Sequence, residues 1–251
     1  MILLAIDDRG LARLTVENQG KLNVLNAVLM EDFARQVEKL AADDTLRALI
    51  VTGAGKKAFI GGADIGEMAN LNPETARSFI TRLHRCSDAL RSLPCPVIAR
   101  ISGYALGAGL EIAAACDIRI ASTTAKFGMP EVKVGIPSVI EAALLPRLIG
   151  WGRARRMLLT GDIYNAREAE KWGLIDVLAK PAELDRAVEA TVQSILNTGP
   201  NALRIQKKLI RAWEDRPITP AIEAGIDAFA EAFVTDEPRT RMTAFLNRKK
   251  R

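Results

Sequence analysis

Two glutamates stand where acid–base chemistry needs them. Glu111 lies in Ala105-Leu106-Gly107-Ala108-Gly109-Leu110-Glu111-Ile112-Ala113-Ala114-Ala115-Cys116, where it is the sole charged residue. Such a run reads as a buried helix opened by a glycine-rich turn. A carboxylate held there loses its hydration, which is costly without a partner or a task. Glu131 follows a proline in Phe127-Gly128-Met129-Pro130-Glu131. Two carboxylates in unlike environments can supply an acid and a base from one residue type. The only histidine, His84, is read as structural. It lies one position off an apolar helical stripe, with no second histidine to join it at a metal. Proton transfer therefore falls to carboxylates.

Two glycine-rich turns precede candidate helices, Ala58-Phe59-Ile60-Gly61-Gly62-Ala63-Asp64-Ile65 and Gly103-Tyr104-Ala105-Leu106-Gly107-Ala108-Gly109. Small residues let backbone approach a ligand closely. Unpaired N–H groups at a helix start favour negative charge. Two such turns converging on one point would form an oxyanion hole. The second lacks the Gly-Lys-Ser/Thr ending of a phosphate loop.

The elements that must position these groups alternate. Leu11–Val16, Leu46–Val51, Pro96–Ile101 and Ile118–Ala121 are expected strands. Asn26 is an expected N-cap, followed by Leu29, Phe33, Val37 and Leu40 at helical spacing. Asn72-Pro73-Glu74 starts a second helix, with Ala76, Phe79, Ile80, Leu83, Cys86 and Leu90 in one stripe. The alternation predicts an α/β fold with right-handed crossovers. From about residue 143 onward the pattern reads as almost wholly helical: 153–160, 166–172, 182–197, 202–213 and 219–233. That excess of helix predicts a second, self-associating region.

Composition sets bounds. The 251 residues are 49% hydrophobic and 26% charged, as in a globular protein with a sizeable core. No apolar run is long enough for a membrane span, and the N-terminus does not read as a signal peptide. Cys86, Cys95 and Cys116 have no paired spacing, which favours a reducing compartment over a disulfide frame or a zinc site. The expected location is cytoplasmic, with Cys116 a small core residue. The net charge of +5 is concentrated in residues 236–251, where Arg239, Arg241, Arg248, Lys249, Lys250 and Arg251 oppose Asp236 and Glu237. A basic tail is either a solvated terminus or a contact for a polyanion or phosphorylated ligand. Aromatics are only 5%, and no stacking platform for RNA appears, so a nucleic-acid partner is not expected.

The order of four motifs carries a resemblance. Ala-Phe-x-x-Gly-Ala-Asp-Ile, Gly-Tyr-Ala-x-Gly-x-Gly-x-Glu, Cys-Asp-Ile-Arg-Ile-Ala and Phe-Gly-x-Pro-Glu-Val occur in sequence at residues 58–132. Together they resemble the crotonase family, the enoyl-CoA hydratases and isomerases. The likeness extends through Leu159-Thr160-Gly161-Asp162, Ala166-Arg167-Glu168-Ala169 and Gly173-Leu174-Ile175-Asp176 to Met242-Thr243-Ala244-Phe245. It implies a spiral of ββα units over residues 1–195 and a helical trimerisation region over 196–251. An acyl-CoA thioester is the implied substrate, with coenzyme A part of the substrate and no separate cofactor or metal. The implied oxyanion donors are the Ala63 and Ala108 amides. The implied catalytic carboxylates are Glu111 and Glu131, with Glu131 protonating the α-carbon and Glu111 activating water. Lys21, Leu22, Val24, Ala63, Asp64, Ile65 and Gly107 would contact the coenzyme, and a basic C-terminal residue near Lys249 would reach a neighbouring subunit's ligand. The implied assembly is a homotrimer or a dimer of trimers.

The chain also departs from the family pattern. After Pro137, the glycines common in hydratases are replaced within Ser138-Val139-Ile140-Glu141-Ala142. Pro137, Val139 and Glu141 are therefore expected at the acyl pocket, with Glu141 either exposed or paired with Arg147, or else reshaping the pocket. Gly66 stands where a lysine is frequent, and Ala108 replaces a common glycine. Both glutamates being present favours water addition. An isomerase, or another acyl-CoA lyase of the family, remains the alternative activity.

Overall fold

The computed structural model describes residues 1–248. Lys249, Lys250 and Arg251 of the basic tail lie outside the described residues. Ten strands form two sheets. The larger has the order β1 (Ile2–Ile6), β2 (Leu11–Val16), β3 (Ala48–Gly53), β5 (Val97–Ile101), β7 (Ile118–Ser122) and β10 (Val177–Ala179). The smaller runs β4 (Ala58–Ile60), β6 (Tyr104–Leu106), β8 (Lys126–Gly128) and β9 (Ile163–Asn165). Successive units place one strand in each sheet: β3 then β4, β5 then β6, β7 then β8. Pairing is parallel throughout except β1 with β2 and β8 with β9. The repeated step is the expected spiral.

Helices fill the spaces between the strand pairs. They are α1 (Ala27–Leu40), α2 (Ile65–Met68), α3 (Pro73–Ser92), α4 (Ala108–Ala115), α5 (Leu145–Ile149), α6 (Trp151–Thr160), α7 (Ala166–Trp172), α8 (Leu184–Leu196), α9 (Pro200–Asp215), α10 (Ile218–Ala232) and α11 (Glu237–Arg248). The Asn26 side chain caps α1 by accepting from the Leu29 amide. Asn72 and Thr75 form a reciprocal capping box ahead of Pro73 on α3. Each such cap stabilises its helix by about 1 kcal/mol. The α3 stripe buries Phe79, Leu83, Cys86 and Leu90, while Ala76 and Ile80 are half-buried.

The expectation of an almost wholly helical second half is corrected by β9 and β10. Each has only three residues, too short for a period-2 pattern to show. β9 extends the smaller sheet beside β8, and β10 extends the larger beside β7. The main core collects Phe33, Phe59, Phe127, Leu14 and Leu25, all fully buried. Burying each such side chain contributes about 1.5–3 kcal/mol. A smaller cluster seats Leu184, Val188, Val192 and Ile195 of α8 on the outer face of the larger sheet. Lys207 then ties α9 to this body: its buried ammonium donates to the Leu90 and Cys95 carbonyls and pairs with Asp117 at 2.8 Å.

Candidate active site

Helix α4 is buried over all eight residues, Glu111 included. It can lie that deep because its turn is nearly without side chains. A Cβ on Gly109 would come within 2.0 Å of the Ile60 carbonyl oxygen, so glycine lets the helix start pack onto β4. Gly107 has φ +51° and ψ −122°, a conformation open to glycine. A Cβ there would meet Glu131 Oε1 at 2.3 Å. The second glutamate therefore lies against the bare backbone that opens the helix of the first.

These groups border one apolar cavity of about 670 Å³. Ala63, Ile65, Gly107, Ala108, Glu111, Glu131, Pro137, Ser138 and Val139 line it. So do Phe79, Ile80 and Leu83 of α3, together with Met68, Leu71 and Leu106. Among the described residues, neither the Ala63 nor the Ala108 amide has a hydrogen-bond acceptor. Ala108 is the first residue of α4, where no intrahelical acceptor exists. Ala63 follows Gly62, which has φ +128°, and is bridged to Leu25. Both turns thus open onto the cavity that holds the two carboxylates.

The two carboxylates differ sharply in environment. Glu111 is 4% exposed and its carboxyl is pushed up to about 8. Burial is the largest cause, followed by the charge of Glu131; the Ala142 amide opposes the rise and the charge of Glu141 adds to it. At neutral pH the resting Glu111 therefore keeps its proton. Ala142 N–H donates to Glu111 Oε1 at 3.2 Å. Glu131 is half-buried in the 3-10 turn Pro130–Val134, and its Oε2 accepts from Ser138 Oγ at 2.7 Å.

The expected coenzyme contacts fall in two places. Ala63, Ile65 and Gly107 line the cavity, whereas Lys21 and Asp64 pair at 3.0 Å beside a neighbouring groove that also includes Gly66 and Arg82. Leu22 and Val24 line neither. The Leu22 carbonyl accepts from Gly61 N–H, so Leu22 shapes the turn. Leu22 and Asn23 both have positive φ, 55° and 56°. The Asn23 side chain holds that bend by donating to the Ala54 and Ala58 carbonyls.

One expectation is corrected here. Glu141 is neither exposed nor paired with Arg147: it is 4% exposed and its Oε1 lies 2.8 Å from His84 Nδ1. Arg147 turns toward Asp215 instead. Unlike Pro137 and Val139, Glu141 is not among the cavity-lining residues but lies behind Glu111. His84, read as structural, is the hydrogen-bond partner of Glu141. Ser138, which lines the cavity and donates to Glu131, was missed in reading the sequence; it stood out there only as a lost glycine. The three cysteines are buried thiols, each pushed up to about 12 by burial, so Cys116 is the inert core residue expected.

The enoyl-CoA hydratase/isomerase profile matches residues 7–251. The chain belongs to that family. It is 36% identical to a short-chain-enoyl-CoA hydratase of Clostridium acetobutylicum, over 95% of this chain and 92% of that one. A crotonyl-CoA hydratase of Syntrophomonas wolfei is 37% identical, over 96% and 93% of the two chains. Among solved structures, enoyl-CoA hydratase of Mycobacterium smegmatis superposes with a TM-score of 0.95 at 29% identity, covering 98% of this chain and 96% of that one. That of Bacillus anthracis gives 0.94 with the same identity and coverage. The resemblance read from the four motifs and the spiral fold are borne out. No helix among the described residues is long and apolar enough to cross a membrane.

Proposed function

We propose that this family member is a hydratase, a carbon–oxygen lyase, that adds water across the 2,3 double bond of a 2-enoyl-CoA thioester. One observation carries the reading: two acceptor-free amides and two carboxylates of unlike environment border the same apolar cavity. Water attacking the β-carbon builds negative charge on the thioester oxygen. The Ala63 and Ala108 N–H groups are positioned to receive it. Each such donor lowers the barrier by about 3–4 kcal/mol.

The same attack needs one base for the water and one acid for the α-carbon. Glu111 and Glu131 would share that work. Proton delivery by Glu131 and water activation by Glu111 is the division that the family resemblance implies. The resting proton on Glu111 supports the reverse, with Glu111 the donor and Glu131 the base. The names of the two bacterial relatives, short-chain-enoyl-CoA and crotonyl-CoA hydratase, support a short acyl group.

The coenzyme would extend from the cavity along Lys21, Leu22, Val24 and Asp64. Residues 196–251 would form the self-associating region of a homotrimer or a dimer of trimers. Ile218, Ile222, Ile226 and Phe229 support that, as exposed residues at helical spacing on α10. The buried neutral thiols suit a reducing compartment, in keeping with a cytoplasmic enzyme.

The test is to mix the protein with crotonyl-CoA and follow loss of the conjugated absorbance. Turnover is expected, and Glu131→Gln should lower it by about 10²–10⁴-fold. Absence of turnover across a panel of chain lengths would overturn the hydratase reading. Unchanged activity in Glu131→Gln would remove that residue from the mechanism.

A further inference from the structure

Behind the cavity lies a third carboxylate that hydration does not require. Glu141 is 4% exposed, and its Oε2 is buried with no hydrogen-bond partner among the described residues. A buried carboxylate oxygen without a partner is costly and calls for a reason. Its other oxygen, Oε1, meets Nδ1 of His84, whose side chain is 52% exposed. The next residue, Ala142, donates its amide to Glu111 Oε1. The preceding residue, Ile140, has φ +38°. A β-branched residue in the left-handed region is strained, and persists only where its neighbours are fixed on both sides. One short segment therefore runs from the solvent-facing imidazole to the buried member of the dyad.

We propose that His84 and Glu141 are positioning residues for the dyad: His84 anchors Glu141, and the segment so held keeps the Ala142 amide on Glu111 Oε1 and the Glu111 carboxyl in place. Of the charged groups on the surrounding elements, Arg77 of α3 lines the same cavity as Glu111 and Glu131. On α4 the sole charged residue is Glu111, which faces Glu131 and Glu141. On α3, Arg85 is engaged by Glu31 and Glu38, and Asp88 by Arg211. On α5, Arg147 turns to Asp215, and beside Glu131, Lys133 pairs with Asp162. Glu141 bears on Glu111 less than burial and Glu131 do, and His84 is its hydrogen-bond partner. A carboxylate facing another like charge holds its proton more tightly.

The proposal rests on the dyad reading, so its first test needs no turnover. Protein carrying ¹³C-labelled glutamate side chains is titrated by NMR, with the Glu111 signal assigned by its loss in Glu111→Gln. Glu141→Gln keeps the shape and removes the charge, and should lower the Glu111 midpoint. His84→Ala, at an exposed position, takes away the partner that anchors Glu141, so it should shift the midpoint too. The double variant should fall no further than Glu141→Gln. With turnover, the upper limb of the kcat–pH profile should move down in step while KM stays put. A Glu111 midpoint unmoved in both single variants would overturn the proposal, whatever their stability. Additive shifts would also overturn it, because His84 would then act independently of Glu141. If the midpoint moves but no enoyl-CoA turns over, the control of Glu111 stands and only the hydratase reading fails.

Discussion

Glu111→Gln should make the protein less sensitive to alkaline pH. The native carboxyl titrates at about 8 against an ordinary 4.5, because burial and the neighbouring Glu131 disfavour its charge. A raised folded value means that the folded state holds a proton the unfolded chain has released. Stability from this group is thus complete below 4.5 and declines as pH rises, levelling off above about 8. The slope is about 1.4 kcal/mol per pH unit, so the full interval corresponds to about 5 kcal/mol. Over a practical window from about pH 5.5 to 8.5 the decline is about 3 kcal/mol. Glutamine cannot ionise, yet its carbonyl can still accept from Ala142 N–H. Urea unfolding of both proteins, at one concentration and several pH values, gives the two stability curves. Relative to the wild type, the variant should gain about 3 kcal/mol across that window. Parallel curves would refute the reasoning, showing that Glu111 is not held neutral by its surroundings.

Two further outcomes follow from single contacts. Ser138→Ala removes the hydroxyl that donates to Glu131 Oε2; hydrogen bonds to charged groups contribute about 1.5–3 kcal/mol, so kcat should fall by about tenfold or more with KM little changed. Steady-state kinetics checks this, and an unchanged kcat would show that the hydroxyl does not position Glu131. Lys207→Met should lower unfolding stability by about 3 kcal/mol, since it strands the Leu90 and Cys95 carbonyls and the Asp117 charge. Denaturant melts measure that loss, and a neutral result would mean that α9 is held to the core by apolar contacts alone.

The dyad and the two turns were legible in the sequence for a physical reason. Glu111 announces itself by standing alone among small and apolar residues, and the glycines of its turn mark where backbone must come close. Long periodic elements such as α1 and α3 were equally plain, with Asn26 and Asn72 acting as the caps their positions suggest. Three-residue strands were not. The pairing of β9 with β8 is decided by tertiary contact, with too few residues to display alternation. Glu141 was misjudged because a glutamate with Arg147 six positions on looks like half of a surface pair. Its partner lies on another helix, 57 positions away in the chain. His84, one position off an apolar stripe, stands where a side chain can reach across to a neighbouring segment.

The replaced glycines after Pro137 now have a common logic. Glycine there would give a pliant loop; this chain instead has three side chains that each constrain the dyad. Ser138 fixes one oxygen of Glu131. Glu141, anchored on His84, brings charge beside Glu111 and sets the Ala142 amide against it. Ile140, between them, is held at φ +38°, a conformation that costs about 1–2 kcal/mol for a residue with a Cβ. That cost is sustained because relaxing Ile140 would have to move Ser138 or Glu141, and so one of the two carboxylates. Strain, hydrogen bond and buried charge therefore oppose the same motion, and the loop that glycine leaves free becomes a brace for the pair.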